Sequence, residues 1–374
     1  MKPAPLPLLP LLSRLAAIWH SLPTLTIGAG GAAAAYALGL PASVLIGSAL
    51  AVSAAGLAGA RVRLADPLRD LCFLALGIGV GTGFTAEAGG AILRWPLAFV
   101  ALLGMLLAIL FLGRRLLERG FGFDRRSAAL AAAPGHLSFV LGYAAQIGGD
   151  VGRVAVVQSI RLLALTVAVP FVALALGYRM GAAALPEGAP MATGALLALA
   201  FLGLALGLGL KRLGVPAPLL LGPMIASALG HVTDLTPGNL PEWLAVPAFL
   251  GLGTLIGTRF SGMRFAQFRA LLLAGMLVTA ISVLLAGAIA LPLARWLGMP
   301  AAHVLTAFAP GGLETMVALG ATLGANPGFI AACHVMRLLM LSVLIPLVMG
   351  RAAPVAAAAA APEAEQAPEP GPRG

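Results

Sequence analysis

The sequence predicts an all-α polytopic membrane protein made of two inverted repeats, and three observations lead to this prediction. Hydrophobic residues make up 60% of the chain and charged residues only 10%, with a mean hydropathy of +1.01, whereas about a quarter of the residues of a soluble domain are charged. Apolar runs of about 20 residues, long enough to cross a bilayer core as helices, recur along the chain. The second half of the chain also repeats the first at an offset of 176 residues.

The order of these features divides the chain into four segments. They are an N-terminal segment (1–21), a first membrane repeat (22–177), a second membrane repeat (178–350) and a tail rich in Ala, Pro and Glu (351–374). We expect the tail to be disordered, because its low-complexity composition gives it little reason to form a packed core.

Apolar runs predict about ten spanning helices. They lie at 22–40, 42–60, 71–86, 95–113, 154–177, 192–210, 216–232, 244–258, 270–292 and 329–350. Two further runs, 127–147 and 303–324, carry Pro-Gly near their centres. Because Pro and Gly break helices, we expect each of these two to turn back inside the membrane as a re-entrant hairpin, with protein or water covering the broken backbone. The alternative is that both cross fully, which gives twelve spans.

The repeat is clearest around these Pro-Gly runs. AAAPGHLSFVLGYAAQIGGDVGRVAVVQSIRLLALTVAVP (131–170) aligns without a gap with AFAPGGLETMVALGATLGANPGFIAACHVMRLLMLSVLIP (307–346). The informative matches are helix breakers and charges, namely Pro134/Pro310, Gly135/Gly311, Gly148/Gly324, Gly152/Gly328, Arg161/Arg337 and Pro170/Pro346. A second match, FLALGIGVGTGFT (73–85) with FLGLGTLIGTRFS (249–261), shows that the duplication extends further. Its glycines are expected to allow close helix packing; the alternative is that they expose backbone carbonyl groups to an ion.

Loop charges predict that the two repeats are inverted. Arginines cluster at 61–70 and 114–126 in the first repeat, but the equivalent loops of the second repeat are almost free of Lys and Arg. The second repeat instead carries its basic residues at 211–212 and 259–269. Because Lys and Arg mark cytoplasmic loops, the repeats should insert in opposite directions, with oppositely directed hairpins. This topology places both termini in the cytoplasm.

Two buried arginines are the first candidates for a site. Arg161 and Arg337 lie about two turns into their helices, and a charge at that depth costs at least about 2.5 kcal/mol on insertion scales unless it is paired or faces a cavity. One interpretation is that both bind an anionic substrate. The other is that each bonds the carbonyl groups of a hairpin tip, or that Arg337 pairs with Glu314.

The hairpin tips supply the second part of the predicted site. Helices that restart after Pro-Gly point free N–H groups and the positive end of their dipole at the midplane, where they can hold a carboxylate or phosphate. The predicted substrate-binding residues are therefore Arg161, Arg337, Pro134, Gly135, His136, Ser138, Pro310, Gly311 and Gly312.

Residues that differ between the repeats are the candidates for ion coupling. Glu314 takes the place of Ser138, and His334 takes the place of Gln158. Such asymmetry suits an asymmetric substrate or a coupling ion. We expect Glu314, with His334 and Gln158, to handle a coupling proton or sodium ion.

The hairpin sequences resemble a known family. PGHLSFVLGYA…GGDVGRVAVVQSIRLL and APGGLETMVALGATLGAN…MRLL are similar to the two signature regions of the membrane-embedded AbrB family of Gram-negative bacteria, and the resemblance covers roughly residues 22–350. Members carry labels as different as regulator, ammonia monooxygenase and transporter-like protein. A copper monooxygenase needs clustered histidine and carboxylate ligands, whereas the five histidines here, at 20, 136, 231, 303 and 334, are scattered.

These features together predict an inner-membrane secondary transporter of a small anionic solute. No ATP-binding motif is present, so an ion gradient would supply the energy. The alternative is a membrane sensor or regulatory protein of the AbrB family that affects gene expression indirectly. We expect no enzyme activity, no metal, no cofactor and no nucleic-acid partner. The expected partners are the anion, membrane lipid and a second copy of the chain, since families with such hairpins often form dimers.

Overall fold

The computed structural model describes residues 17–84, 95–135, 137–175, 177 and 189–349. Within these residues the fold is helical, and β-structure is limited to one isolated bridge between Pro190 and Asn239. The first half contains α1 (Leu22–Ala37), α2 (Ser43–Leu57), α3 (Asp66–Gly81), α4 (Trp95–Phe121), α5 (Arg125–Ala132), α6 (Leu137–Gln146) and α7 (Val151–Ala175). The second half contains α8 (Thr193–Arg212), α9 (Pro218–Val232), α10 (Glu242–Gly257), α11 (Phe265–Leu297), α12 (Ala301–Phe308), α13 (Leu313–Thr322) and α14 (Pro327–Met349).

The two halves have the same local backbone. Each contains seven helices in the same order among the described residues, and α5, α6 and α7 begin 176 residues before α12, α13 and α14. A left-handed alanine, which is an unusual conformation for a residue with a Cβ atom, precedes both α2 and α9: Ala42 has φ 46° and Ala217 has φ 47°. The duplication read from the sequence therefore extends to the turns between helices.

Among the residues that the structure describes, six helices are long and apolar enough to cross a membrane, fewer than the ten predicted. They are Trp95–Phe121, Val151–Ala175, Thr193–Arg212, Phe265–Leu297, Pro327–Val348 and α10 with its 3₁₀ extension, Glu242–Phe260. The other four predicted runs form α1, α2, α3 and α9, which have 15 or 16 residues. At 1.5 Å per residue such helices measure about 24 Å or less, which is short of the hydrocarbon thickness of about 30 Å. The protein is an all-helical, polytopic membrane protein.

The helices form two bundles that each combine both halves. Helices α1 to α3 pack with α8 to α10, and α4 to α7 pack with α11 to α14. Glycines allow the closest approaches within the first bundle: a Cβ atom at Gly77 would lie 2.4 Å from the Leu220 carbonyl oxygen, and one at the equivalent Gly253 would lie 2.4 Å from that of Leu45. The expected packing role of these glycines is confirmed.

Both Pro-Gly runs form a helix, a break and a second helix. Hairpin 1 (residues 125–146) consists of α5 and α6, and hairpin 2 (residues 301–322) consists of α12 and α13. Their ends meet. Arg126 Nη1 donates a hydrogen bond to the carbonyl oxygen of Ile147 at 2.7 Å, and His303 Nε2 lies 3.3 Å from that of Leu323. In each run, a side chain near the start therefore lies against the backbone at the end of the same run.

Candidate functional site

The two hairpin tips line one cavity between the bundles. The cavity has a volume of about 830 Å³, and its wall includes Gly135 of the first tip and Gly311 and Gly312 of the second. Each tip also approaches the other half of the chain: a Cβ atom at Gly135 would lie 3.5 Å from Leu341, and one at Gly312 would lie 3.7 Å from Leu162. The tips therefore converge on a common space.

The first tip is held by Gln158 and Arg161 from α7. Arg161, 1% exposed, donates from Nη1 to the carbonyl oxygen of Ala133 at 3.0 Å and from Nη2 to Gln158 Oε1. Gln158 Nε2 donates to the carbonyl oxygens of Leu130, Ala131 and Ala133. The bonds from Gln158 and Arg161 satisfy carbonyl groups at and just after the C-terminal end of α5, where no N–H group of the helix is available to donate to them.

The second tip is held by Arg337 from α14. Arg337 is 2% exposed and donates to the carbonyl oxygens of Ala309 and Gly311, both at 2.7 Å. His334, at the position of Gln158, instead places Nδ1 3.0 Å from the carbonyl oxygen of Ile330. Its Nε2 atom is buried without a hydrogen-bond partner. The second tip thus receives fewer side-chain bonds than the first.

Both arginines donate hydrogen bonds from Nη atoms to carbonyl oxygens of a tip, in agreement with one of the two interpretations of the sequence. The other structural alternative is wrong, because the ion pairs among the described residues do not include one between Arg337 and Glu314. The Nε atoms of Arg161 and Arg337 are buried without a partner. Anion binding by these two residues stays a prediction.

The structure divides the predicted site residues into a cavity wall and a layer behind it. Gly135, Gly311, Gly312, Glu314 and Arg337 line the cavity. Behind the wall lie Pro134, Pro310, Arg161, Gln158 and His334, all of them buried. His136 and the side chain of Ser138 lie outside the described residues.

The wall also contains charged residues that the sequence marked only as loop positions. Arg69, Asp70, Lys211 and Arg259 line the cavity. Arg69 is held by Asp70 and Asp66, each at 2.7 Å, whereas the described carboxylates all lie more than 4 Å from Lys211 and Arg259. Arg259 interacts electrostatically with Glu314. One signal could have identified Arg259: it stands where the first repeat has Gly83.

The start of α13 adds backbone donors to the wall. Leu313, Glu314 and Thr315 form the first turn of this helix and all line the cavity. The N–H groups of a first helical turn have no acceptor within the helix, and the helix dipole places a partial positive charge there. This part of the wall is suited to an anion. The described residues contain no group of three or more His, Cys, Asp or Glu placed to hold a metal ion.

The chain is therefore a polytopic membrane protein of one class: its helical bundle is internally duplicated, and a charged cavity lies between two broken segments. Within that class the chain belongs to the AbrB family, since the model described as "Transition state regulatory protein AbrB" matches residues 44–352.

Two curated relatives are similar to the chain. "Putative regulator AbrB" of Escherichia coli (strain K12) is 28% identical over 312 residues, which cover 81% of this chain and 87% of that protein. "Uncharacterized protein YhjN" of Bacillus subtilis (strain 168) is 28% identical over 242 residues, which cover 60% of this chain and 62% of the relative.

Proposed function

We propose that the protein is a secondary transporter of a small anionic solute in the bacterial inner membrane, driven by an ion gradient. The observation that carries the proposal is the convergence of both hairpin tips on one cavity with basic walls. In this proposal the protein catalyses no chemical reaction and binds no cofactor or nucleic acid. Membrane lipid surrounds the bundles, the protein is a homodimer, and both termini lie in the cytoplasm.

The dimensions of the hairpins support a re-entrant arrangement. The helices of hairpin 1 have 8 and 10 residues, and those of hairpin 2 have the same lengths. At 1.5 Å per residue, each arm measures about 12 to 15 Å, roughly half of the hydrocarbon thickness of about 30 Å. Hairpins of this length, with their ends held together, would place both tips near the midplane.

The placement of α3 and α10 supports inversion of the repeats. These helices are equivalent in the duplication. Arg69, near the start of α3, and Arg259, just after the end of α10, line the same cavity and lie within electrostatic range of each other. Equivalent helices therefore meet with opposite ends, as expected if one repeat inserts in the opposite direction.

Inversion can be tested by labelling single cysteines after the two native cysteines, Cys72 and Cys333, have been replaced. Arg119→Cys, at the end of α4, and Arg264→Cys, just before α11, lie in different repeats, at ends that are both predicted to be cytoplasmic, and both side chains are exposed. A membrane-impermeant thiol reagent should label neither residue in intact cells and both in inside-out vesicles. Labelling of one site from outside would show that the repeats are not inverted.

Charge supports an anion as the solute. Arg69, Lys211, Arg259 and Arg337 line the cavity against two acidic residues, Asp70 and Glu314. In a cavity with low-dielectric walls, unbalanced basic charge attracts and concentrates anions. The N–H groups at the start of α13 add neutral donors in the same wall.

Thermal unfolding of the purified protein with a panel of anions tests the proposal. The panel is acetate, lactate, succinate, sulfate and phosphate. A ligand at a hundredfold excess over its Kd adds about 2.7 kcal/mol of stability, so at least one anion should raise the Tm, while the sodium and chloride controls should not. Failure of every anion to shift the Tm would overturn the proposed function.

A second candidate function is sensing. The family description and the printed name of the Escherichia coli relative both refer to regulation. The same cavity would then detect an anion and signal to a partner protein. The two functions differ in one observable, since a transporter moves the anion across a bilayer and a sensor does not.

A further inference from the structure

A carboxylate and a guanidinium, those of Glu314 and Arg259, line the cavity without forming an ion pair with each other. Glu314 lies in the first turn of α13 at the second tip, and Arg259 lies in the 3₁₀ turn Thr258–Phe260 after α10. Both line the cavity and they interact electrostatically. Their side-chain N and O atoms are more than 4 Å apart, so the Arg259 guanidinium is not paired with the Glu314 carboxylate.

The other charged groups of the wall either already have a bonding partner or are cations. Arg69 is bonded to Asp66 and Asp70, and Arg337 donates to two tip carbonyls. Lys211, at the end of α8, is exposed, and the described carboxylates all lie more than 4 Å from it. Glu314 is therefore the negative group that an entering anion meets next to Arg259.

We infer that Glu314 and the transported anion compete for Arg259, so that each anion binds together with one proton. The inference deepens the proposed function and rests on it. A carboxylate or sulfate beside Arg259 would be repelled by ionised Glu314, because the two carry charge of the same sign. A proton from solvent that adds to a Glu314 carboxylate oxygen removes the repulsion and leaves Arg259 for the anion.

The pair occurs in only one repeat. The position of Glu314 is Ser138 in the first repeat, and that of Arg259 is Gly83. The second tip also has fewer side-chain bonds than the first, since His334 makes none of the three tip bonds that Gln158 makes. Proton coupling therefore belongs to hairpin 2, while hairpin 1 supplies the opposite wall.

Coupling between anion binding and proton binding makes the inference measurable as a pH dependence of the anion affinity. If each anion binds together with one proton, its apparent affinity falls about tenfold for each unit by which the pH rises. The probes are lactate and sulfate, because the charge of each is constant between about pH 5 and about pH 8. Any pH dependence of binding in this range then comes from the protein.

Glu314→Gln supplies the comparison, because glutamine has the shape of a protonated glutamate. We expect wild type to bind lactate or sulfate at least tenfold more tightly at about pH 5 than at about pH 8. Glu314→Gln should bind with the higher affinity throughout. Arg259→Gln should bind at least tenfold more weakly at low pH, and Arg269→Gln, which removes an exposed cation outside the cavity wall, should behave as wild type.

Proton uptake provides a measurement that needs no variant. In weakly buffered solution, wild type should take up about one proton per anion bound. Anion binding without proton uptake, or a Glu314→Gln protein that keeps the pH dependence of wild type, would overturn the inference while leaving the proposed function in place. If neither probe nor any other anion of the panel binds wild type at any pH, the proposed function fails and the inference fails with it.

Discussion

Replacement of Arg337 by methionine should strongly destabilise the protein, because it leaves the second tip without its side-chain donors. Arg337 is 2% exposed and donates two hydrogen bonds of 2.7 Å to the carbonyl oxygens of Ala309 and Gly311. A hydrogen bond from a charged group contributes about 1.5 to 3 kcal/mol. The loss of two such bonds is reduced by the removal of a buried charge, and we expect a net cost of about 3 kcal/mol.

Arg153→Met is a matched control for this loss. Arg153 also donates to two backbone carbonyl oxygens, those of Phe121 and Gly122, and it stacks on Phe123 with 3.8 Å to the ring centroid. It is only partly buried, so water can replace the lost donors. We expect this substitution to cost about 1 kcal/mol, mainly through the lost stacking.

Equilibrium unfolding in detergent, followed by the fluorescence of the native tryptophans, measures both costs. Arg337→Lys should fall between wild type and Arg337→Met, since lysine keeps the charge but loses the two-pronged geometry of the guanidinium. Equal destabilisation by Arg337→Met and Arg153→Met would refute the assignment of Arg337 as the buried support of the second tip.

Three further sets of substitutions test the helix packing, a helix cap and a turn of the fold. Gly77→Ala should destabilise, because its Cβ would lie 2.4 Å from a backbone oxygen, whereas Gly104→Ala, with nothing within 4 Å, should be neutral or stabilise by up to about 1 kcal/mol; thermal unfolding distinguishes the two. Asp124 accepts hydrogen bonds from the first turn of α5, so Asp124→Ala should cost about 1 kcal/mol at neutral pH and Asp124→Asn much less. Burial acts to raise the pKa of Asp124, but hydrogen bonds from Ser127 and Arg126 hold the pKa below its usual value, so the stabilisation should be lost as the pH falls through that lowered pKa. A Ser127→Cys, Gly149→Cys pair should form a disulfide, detected by gel mobility after oxidation, because a Cβ at Gly149 would lie 3.3 Å from Ser127 Oγ.

The sequence predicted the features of the fold that depend on periodic apolar runs and helix breakers. The breaks at Pro134 and Pro310 lie between short helices, as expected, because proline removes a backbone donor and sterically blocks a continuing helix. The count of spans was less accurate. Hydropathy alone does not show where a helix ends. Helices α2 and α9 each end after 15 residues, although the sequence that follows α2 is still apolar.

The site was only partly predictable for a different reason. Arg337 and Glu314 could be identified because a charge within an apolar run is costly and conspicuous. Lys211 could not be separated from other loop cations, because basic loop residues also mark topology. The one local signal for Arg259 was its alignment with Gly83 of the first repeat. The place of both cations in the wall depends on how the two bundles pack, which no local pattern encodes.

Uptake into proteoliposomes tests the central claim most directly. Vesicles containing the purified protein would receive radiolabelled anion, chosen as the one that most raises the Tm, with and without an inward proton gradient. A proton-coupled transporter should take up the anion against its concentration gradient, and this uptake should stop when a protonophore dissipates the proton gradient. Binding of the anion without uptake under any gradient would contradict the transporter and favour a sensor.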